Sequence, residues 1–140
     1  MPARRVFLDT NGWLALLNSA DALHSLAEAE WTQLLEEGYS IFLTDWIIAE
    51  TGNGLARTTG RSQFVQAVRL LRESPRAHVL PVSGELFERA LDLYAKRLDK
   101  TWGLVDCASF IVMEDEGIRE VLSNDRHFPQ AGFQCLLPLP

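Results

Sequence analysis

Two rhythms alternate along this chain: short runs of consecutive apolar residues, and longer stretches whose apolar positions recur with helical spacing. The first run, Val6-Phe-Leu, predicts a buried strand over Arg5–Asp9, followed by a short helix around Gly12–Leu17. From Asp21 to Glu37 the spacing is helical, with Leu23, Ala27, Trp31, Leu34 and Leu35 on one face, and Gly38 stops it. Ser40–Leu43 is a second apolar run. Thr44 or Asp45 suits the cap of a helix carrying Trp46-Ile-Ile-Ala-Glu and running to about Arg57. Thr58-Thr-Gly breaks the chain before a helix over Arg61–Arg72, and Pro75 precedes a strand at Ala77–Leu80. Ser83 then caps a helix whose apolar face is Phe87, Ala90, Leu91, Tyr94 and Leu98.

After a loop at Asp99–Val105, a strongly apolar helix is expected over Asp106–Glu116, ended by Gly117. A strand at Arg119–Ser123, a turn at Asn124-Asp125 and a last strand at Phe133–Leu137 complete the pattern. Strands alternating with helices imply an α/β fold with a mostly parallel central sheet of about five strands flanked by helices. The strands are short and apolar throughout, as expected where both faces of a sheet are covered. No repeat, linker or low-complexity stretch divides the 140 residues, so one domain over residues 1–140 is expected.

Composition narrows the class without naming a chemistry. At 47% hydrophobic and 23% charged residues the chain reads as an ordinary globular protein. No apolar stretch approaches the roughly 20 residues of a membrane span, and the N-terminal run ends at Asp9, too early for a signal peptide. Cys107 and Cys135 lack CxxC or Cys/His spacing and read as core residues in a reducing cytosol, so a cytoplasmic location is expected. A net charge of −6 argues against a uniformly basic nucleic-acid surface. Carboxylates gathered on a metal would leave the remaining surface closer to neutral, and Arg57, Arg61, Arg69, Arg72 and Arg76 crowd one short stretch.

In open parallel sheets the active site lies beyond the carboxyl ends of the strands, which singles out particular acids. Asp9 follows the first strand directly, and Asp125 follows the Val121-Leu-Ser-Asn run. Glu50 interrupts the apolar stripe of Trp46 and Ile47 on the helix after the second strand, with Gly54 leaving space one turn on. Asp106 opens a helix whose stripe continues through Phe110 and Met113. Singly each has a plain structural reading: Asp106 as a helix cap, Asp125 as a turn residue, Glu50 as a solvated helix position. Together they are different. Four carboxylates in one cleft repel one another unless a divalent cation is present, and oxygen-only ligands suit magnesium or manganese. The sequence holds no Gly-rich phosphate loop with lysine, no GxSxG and no HExxH. His24 and His78 read as surface or structural residues, while His127, two positions after Asp125, lies where it could touch a substrate.

Val6-Phe-Leu-Asp-Thr-Asn-Gly, Asp45-Trp-Ile-Ile-Ala-Glu-Thr-Gly-Asn, Trp102-Gly-Leu-Val-Asp-Cys-Ala-Ser-Phe and Leu122-Ser-Asn-Asp-Arg-His-Phe, in this order, resemble the motifs of PIN-domain ribonucleases. The likeness is to the VapC-type toxins of bacterial toxin–antitoxin pairs, and it runs essentially end to end. The resemblance implies a single PIN-like domain and a metal-dependent endoribonuclease that hydrolyses RNA phosphodiester bonds with magnesium or manganese. Asp9, Glu50, Asp106 and Asp125 would be both catalytic residues and metal ligands, Asn11 a polar neighbour lining the site, and Ser123 a hydroxyl beside the last acid. The resemblance also implies a cognate antitoxin and a homodimer. Arg57, Arg61 and His127 are added as candidate contacts to RNA. The loop before Asp106 commonly carries hydroxyls in this family, whereas Gly103 and Val105 stand there in this chain. Asp45 is set aside as a cap and Asp99 as an exposed loop residue.

Divalent cations lower the pKa of bound water and hold the attacking and leaving oxygens of a phosphodiester, which removes the need for a histidine base. The expected products carry a 5′-phosphate and a 3′-hydroxyl. Two rivals remain open at this point. One is a haloacid-dehalogenase-like phosphatase with Asp9 as nucleophile, although no second acid stands two residues on and Lys96 and Lys100 are the only lysines. The other is a non-catalytic PIN fold kept as a scaffold that binds RNA or protein.

Overall fold

A computed structural model describes residues 4–140. Its five strands are β1 (Arg5–Leu8), β2 (Ser40–Thr44), β3 (Ala77–Leu80), β4 (Glu120–Leu122) and β5 (Gln134–Cys135). They form one sheet in the order β3-β2-β1-β4-β5, and every neighbouring pair is parallel. The sheet expected to be mostly parallel is therefore wholly so. Parallel neighbours need crossover connections, and seven helices among the described residues supply them and cover the faces. They are α1 (Thr10–Leu17), α2 (His24–Glu36), α3 (Asp45–Leu55), α4 (Arg61–Glu73), α5 (Gly84–Lys96), α6 (Leu104–Glu116) and α7 (His127–Gln130).

The central strand explains the sequence pattern best. Val6, Phe7 and Leu8 are each no more than 1% exposed, because helices cover both faces of β1. Full burial of such side chains is worth roughly 1.5–3 kcal/mol each, so this tripeptide is a main anchor of the sheet. On the far side α6 contributes Cys107, Ala108, Phe110, Val112 and Met113 to the same core.

Several boundaries differ from expectation for identifiable reasons. α6 begins at Leu104, so Asp106 is its third residue and not its cap; the cap position is Gly103. Thr44, not Asp45, caps α3, its hydroxyl accepting from the Ile47 amide at 3.3 Å. Asp45 instead accepts from the Val82 amide at 2.9 Å and so ties β3's exit to α3. The helix expected from Asp21 starts at His24, because Asp21 turns back to accept from the Leu23 amide at 2.9 Å. The last two strands are shorter than their apolar runs, since only Glu120–Leu122 and Gln134–Cys135 find partners. α7 occupies chain expected to be irregular. It is held by Phe128, fully buried, whose ring meets Phe110 of α6 edge-on at 5.1 Å between centroids.

Two readings of open and covered faces also change. Gly54 does not leave empty space: a β-carbon there would meet the Leu14 side chain at 3.2 Å, so the glycine lets α1 and α3 approach. On α5, Ala90 is buried and Phe87 half-buried, but Leu91 and Tyr94 are 40% and 49% exposed; Leu98, expected on the same face, falls in the turn after the helix ends at Lys96 and is 89% exposed.

Candidate functional site

The carboxyl ends of β1 and β4 lie side by side in the sheet, with Leu8 opposite Leu122. The residues that follow each strand therefore emerge together. Asp9 takes extended backbone and caps α1, its carbonyl accepting from the Trp13 amide at 3.0 Å. Its carboxylate is almost completely buried and accepts from Ser123 Oγ at 2.8 Å. The same Ser123 oxygen accepts from the Asp125 amide at 3.0 Å, so one buried hydroxyl fixes both strand exits.

The third acid comes from α6. Asp106 Oδ2 accepts from the Gly103 amide at 3.1 Å and from His127 Nδ1 at 2.9 Å. His127 Nδ1 also lies 3.5 Å from Asp125 Oδ1, and the backbone amide of His127 donates to that oxygen at 2.9 Å. Asp106, Asp125 and His127 each bring a ligand atom within 4.8 Å of the others. Glu50, on α3, is exposed and enters the constellation through Thr10, whose hydroxyl donates to Glu50 Oε1 at 2.5 Å. Thr10 and Asp9 are consecutive, so Glu50 is tethered to the residue adjoining the buried acid.

A pattern runs through these bonds. Asp106, Asp125 and Glu50 each have one carboxylate oxygen held by protein donors, and the other makes no hydrogen bond among the described residues. Such tethers fix the orientation of a carboxylate while leaving one oxygen to give away.

Electrostatics follows from the crowding. Burial pushes the Asp9 carboxyl up to about 7, and the nearby Asp106 and Asp125 charges push the same way, against hydrogen bonds from Ser123 and the Thr10 backbone. Asp106 is also raised, first by burial and then by Asp125, with the Gly103 and His127 hydrogen bonds opposing. Acids raised first by burial and then by one another's charge are what a divalent cation relieves. The donor set is oxygen-rich and hard, with single oxygens on offer, which fits magnesium or manganese.

The other candidates are placed less tightly. Asn11 is exposed on α1 and lines a cavity of about 170 Å³ with Leu14, Asp21, Leu23 and Asn124. Arg57 and Arg61 are exposed, as are Arg69 and Arg72. Arg76 leaves the group of free arginines: its guanidinium donates to the carbonyls of Leu35 and Tyr39, both at 2.9 Å, and serves the fold. His24 is likewise structural, its Nδ1 lying 2.8 Å from the Ala15 carbonyl, and His78 stacks on Phe42 at the surface. Asp99 is an exposed partner of Arg97. Cys107 is core as expected, but Cys135 is only half-buried and its thiol donates to the Asp125 carbonyl at 3.4 Å. A separate apolar cavity of about 420 Å³, lined by Trp13, Leu16, Trp31 and Leu70 among others, contains none of the four acids.

Three participants escaped the sequence reading. Thr10 holds Glu50, forty positions away, and no spacing rule announces that pair. The Gly103 amide serves where a hydroxyl was missed, and the hydroxyl of that loop is found at Thr101, 3.2 Å from His127 Nε2.

The PIN-domain family model matches residues 6–134 and so spans every element that builds this site. The chain belongs to the PIN-domain family. Among proteins similar to this PIN domain is the 23S rRNA-specific endonuclease VapC20 of Mycobacterium tuberculosis, represented by two strains. It is 30% identical over 133 residues, covering 95% of this chain and 98% of the relative. The crystal structure of VapC20, described as a Sarcin-Ricin loop cleaving toxin, superposes with a TM-score of 0.83 at 29% identity, covering 95% of this chain and 99% of that one. VapBC2 of Rickettsia felis, solved bound to a DNA fragment from its promoter, shares the fold with a TM-score of 0.64 at 15% identity, covering 97% of each chain. The PIN-domain match and its nuclease relatives leave the phosphatase and scaffold readings without support. Asp9 is also ill placed for a nucleophile, being buried and bonded to Ser123.

Proposed function

We propose that this PIN domain is the toxin of a toxin–antitoxin pair, a metal-dependent endoribonuclease in which Asp9, Glu50, Asp106 and Asp125 hold magnesium or manganese. The observation that carries the site is the convergence of Asp9, Asp106 and Asp125 at the carboxyl end of the sheet, with Asp9 raised to about 7 by burial and by its two acidic neighbours. When bound, the cation supplies an activated water and neutralises charge on the phosphate. The chain's own residues do the rest: Ser123 orients Asp9, Thr10 orients Glu50, and Gly103 with His127 orients Asp106.

Similarity to an endonuclease specific for 23S rRNA makes ribosomal RNA the first substrate to try. Arg57 and Arg61, exposed beyond α3 and at the start of α4, are the candidate contacts for its backbone, with Asn11 nearer the acids in sequence. A cognate antitoxin, a homodimer and a cytoplasmic location belong to the same reading. No helix among the described residues is long and apolar enough to cross a membrane.

The test is cleavage of total RNA and of purified ribosomes with magnesium, with manganese, and with chelator, repeated with Asp9→Asn. Metal-dependent cutting at few sites, lost in the variant and leaving 5′-phosphate and 3′-hydroxyl ends, supports the proposal. Cutting that survives chelator, or that leaves a cyclic phosphate, overturns it.

A further inference from the structure

His127 stands at the edge of the acid cluster, and its surroundings say more than its position. Both ring nitrogens are engaged: Nδ1 faces Asp106 Oδ2 at 2.9 Å, and Nε2 lies 3.2 Å from the Thr101 hydroxyl. A carboxylate oxygen only accepts, so Nδ1 carries the hydrogen and Nε2 receives one from Thr101 in the neutral ring. The ring is thus satisfied at both ends by protein. Neither nitrogen is left to point at a substrate.

The oxygen that His127 grips is also informative. Asp106 Oδ2 already receives the Gly103 amide, so two donors saturate this oxygen and leave Oδ1 as the atom Asp106 can offer. The segments bearing these donors are themselves locked together. Trp102 Nε1 donates to Gln130 Oε1 at 3.0 Å, joining the loop before α6 to α7. Phe128, next to His127, is fully buried and packs edge-on against Phe110 of α6. Trp102 in turn meets Phe110 at 5.0 Å between centroids. The imidazole is therefore held by a rigid aromatic frame, as a group needs to be if it is to hold something else.

We propose that His127 is a positioning residue, which through Nδ1 fixes the rotamer of Asp106 and through Nε2 is itself fixed by Thr101, so that Asp106 presents a single oxygen to the cation. This goes beyond a role in touching RNA and rests on the reading of the four acids as a metal site. A donor placed behind a metal-binding carboxylate typically changes metal affinity or activity by about 10- to 100-fold when removed.

Three substitutions separate the roles, because asparagine places its amide nitrogen near Nδ1 and glutamine places it near Nε2. Manganese binding to RNA-free protein is measured calorimetrically for His127→Ala, His127→Asn and His127→Gln, beside Thr101→Val. Melting in chelator is recorded for each as a control for folding, and KM and kcat on RNA are measured separately. The expected result is a loss of manganese affinity on the order of 10-fold or more in His127→Ala and His127→Gln. His127→Asn should recover most of it, and Thr101→Val should fall between, with melting in chelator little changed.

If His127→Ala binds manganese as the original protein does and only KM rises, the ring contacts RNA and the proposal is overturned. If His127→Asn is as weak as His127→Ala at equal melting temperature, the imidazole is itself a ligand, and the proposal is again overturned. Failure of the original protein to bind manganese at all would count against the four-acid site itself, an outcome distinct from either pattern among the variants.

Discussion

Ser123 Oγ donates to Asp9 Oδ2 at 2.8 Å, a buried bond between residues 114 positions apart that joins the exits of β1 and β4. It is one of the influences that lower the Asp9 pKa against burial. Ser123→Ala would leave Asp9 buried without its hydroxyl partner, and the carboxyl would hold its proton to higher pH. The expected outcome is weaker manganese binding at pH 7, by roughly 10-fold or more, with a matching fall in RNA cleavage. Raising the pH should recover part of the loss, because a proton and the cation compete for the same carboxylate. A binding isotherm at pH 7 and pH 8.5 checks this; a deficit unaltered between the two would contradict it.

The pH dependence of the metal-free protein follows from the same acid. In an unfolded chain Asp9 titrates near 3.8, and in the fold near 7. Below 3.8 the carboxyl is protonated in both states, so its burial adds no pH-dependent cost. Between 3.8 and about 7 the unfolded chain releases the proton while the folded chain retains it, so stability falls as pH rises through that window. Asp106, raised mainly by burial, adds in the same direction. Melting in chelator from pH 5 to pH 8 should show this decline, and Asp9→Asn should show a shallower one. By pH 8 the variant, though inactive, is expected to be the more stable, by an amount on the order of a few kcal/mol. Added manganese should reverse the order by stabilising only the original protein. Parallel melting curves for the two proteins in chelator would mean that Asp9 is not the titrating acid.

The two halves of this site were unequally legible in the sequence. Asp9 and Asp125 could be found because parallel strands end where chemistry gathers, and the apolar runs Val6-Phe-Leu and Val121-Leu marked those ends. Asp106 was found with the wrong local role: an acid at the third helical position and one at the cap both precede an apolar helix, and only the backbone shows that Gly103 comes first. The tethers were not legible. Thr10 to Glu50 and Ser123 to Asp9 are contacts made by the sheet order, not by any spacing. α7 was hidden for a different reason: four residues carry no helical period, and Phe128 holds them by burial. The spacing on α5 announced an amphipathic helix correctly, but a pattern cannot say whether its apolar face is covered, and Leu91 and Tyr94 are 40% and 49% exposed.

Glu50 depends on Thr10 more than the other acids depend on any one partner, because it is exposed and its longer side chain has more rotamers to lose. Thr10→Val keeps the shape and the burial while removing the donor. The expected result is a moderate loss of manganese affinity, about several-fold, and a fall in kcat with little change in KM. Melting in chelator should change by no more than a few degrees, since the lost bond ties an exposed carboxylate. A large loss of stability with unchanged metal affinity would place Thr10 in the fold and remove it from the site.

Gly12 tests the frame that holds all of this. A β-carbon there would collide with the backbone carbonyl of Leu122, the same oxygen that accepts the Asp9 amide at 3.4 Å. Backbone cannot swing aside as a side chain can. In Gly12→Ala, α1 must lift from β4, and the Asp9–Ser123 bond at the start of α1 opens with it. Overpacking of this kind costs about 1–3 kcal/mol, so urea unfolding should shift clearly to lower concentration, with manganese affinity reduced as well. Gly54→Ala is the matched control: its β-carbon meets only the Leu14 side chain, at 3.2 Å, which can rotate. Its cost should be smaller, under about 1 kcal/mol, because replacing a glycine in the last turn of α3 restricts the unfolded chain and offsets part of the crowding. Should the two variants unfold alike and bind manganese alike, the close approach of α1 to β4 would not be what sets the position of Asp9.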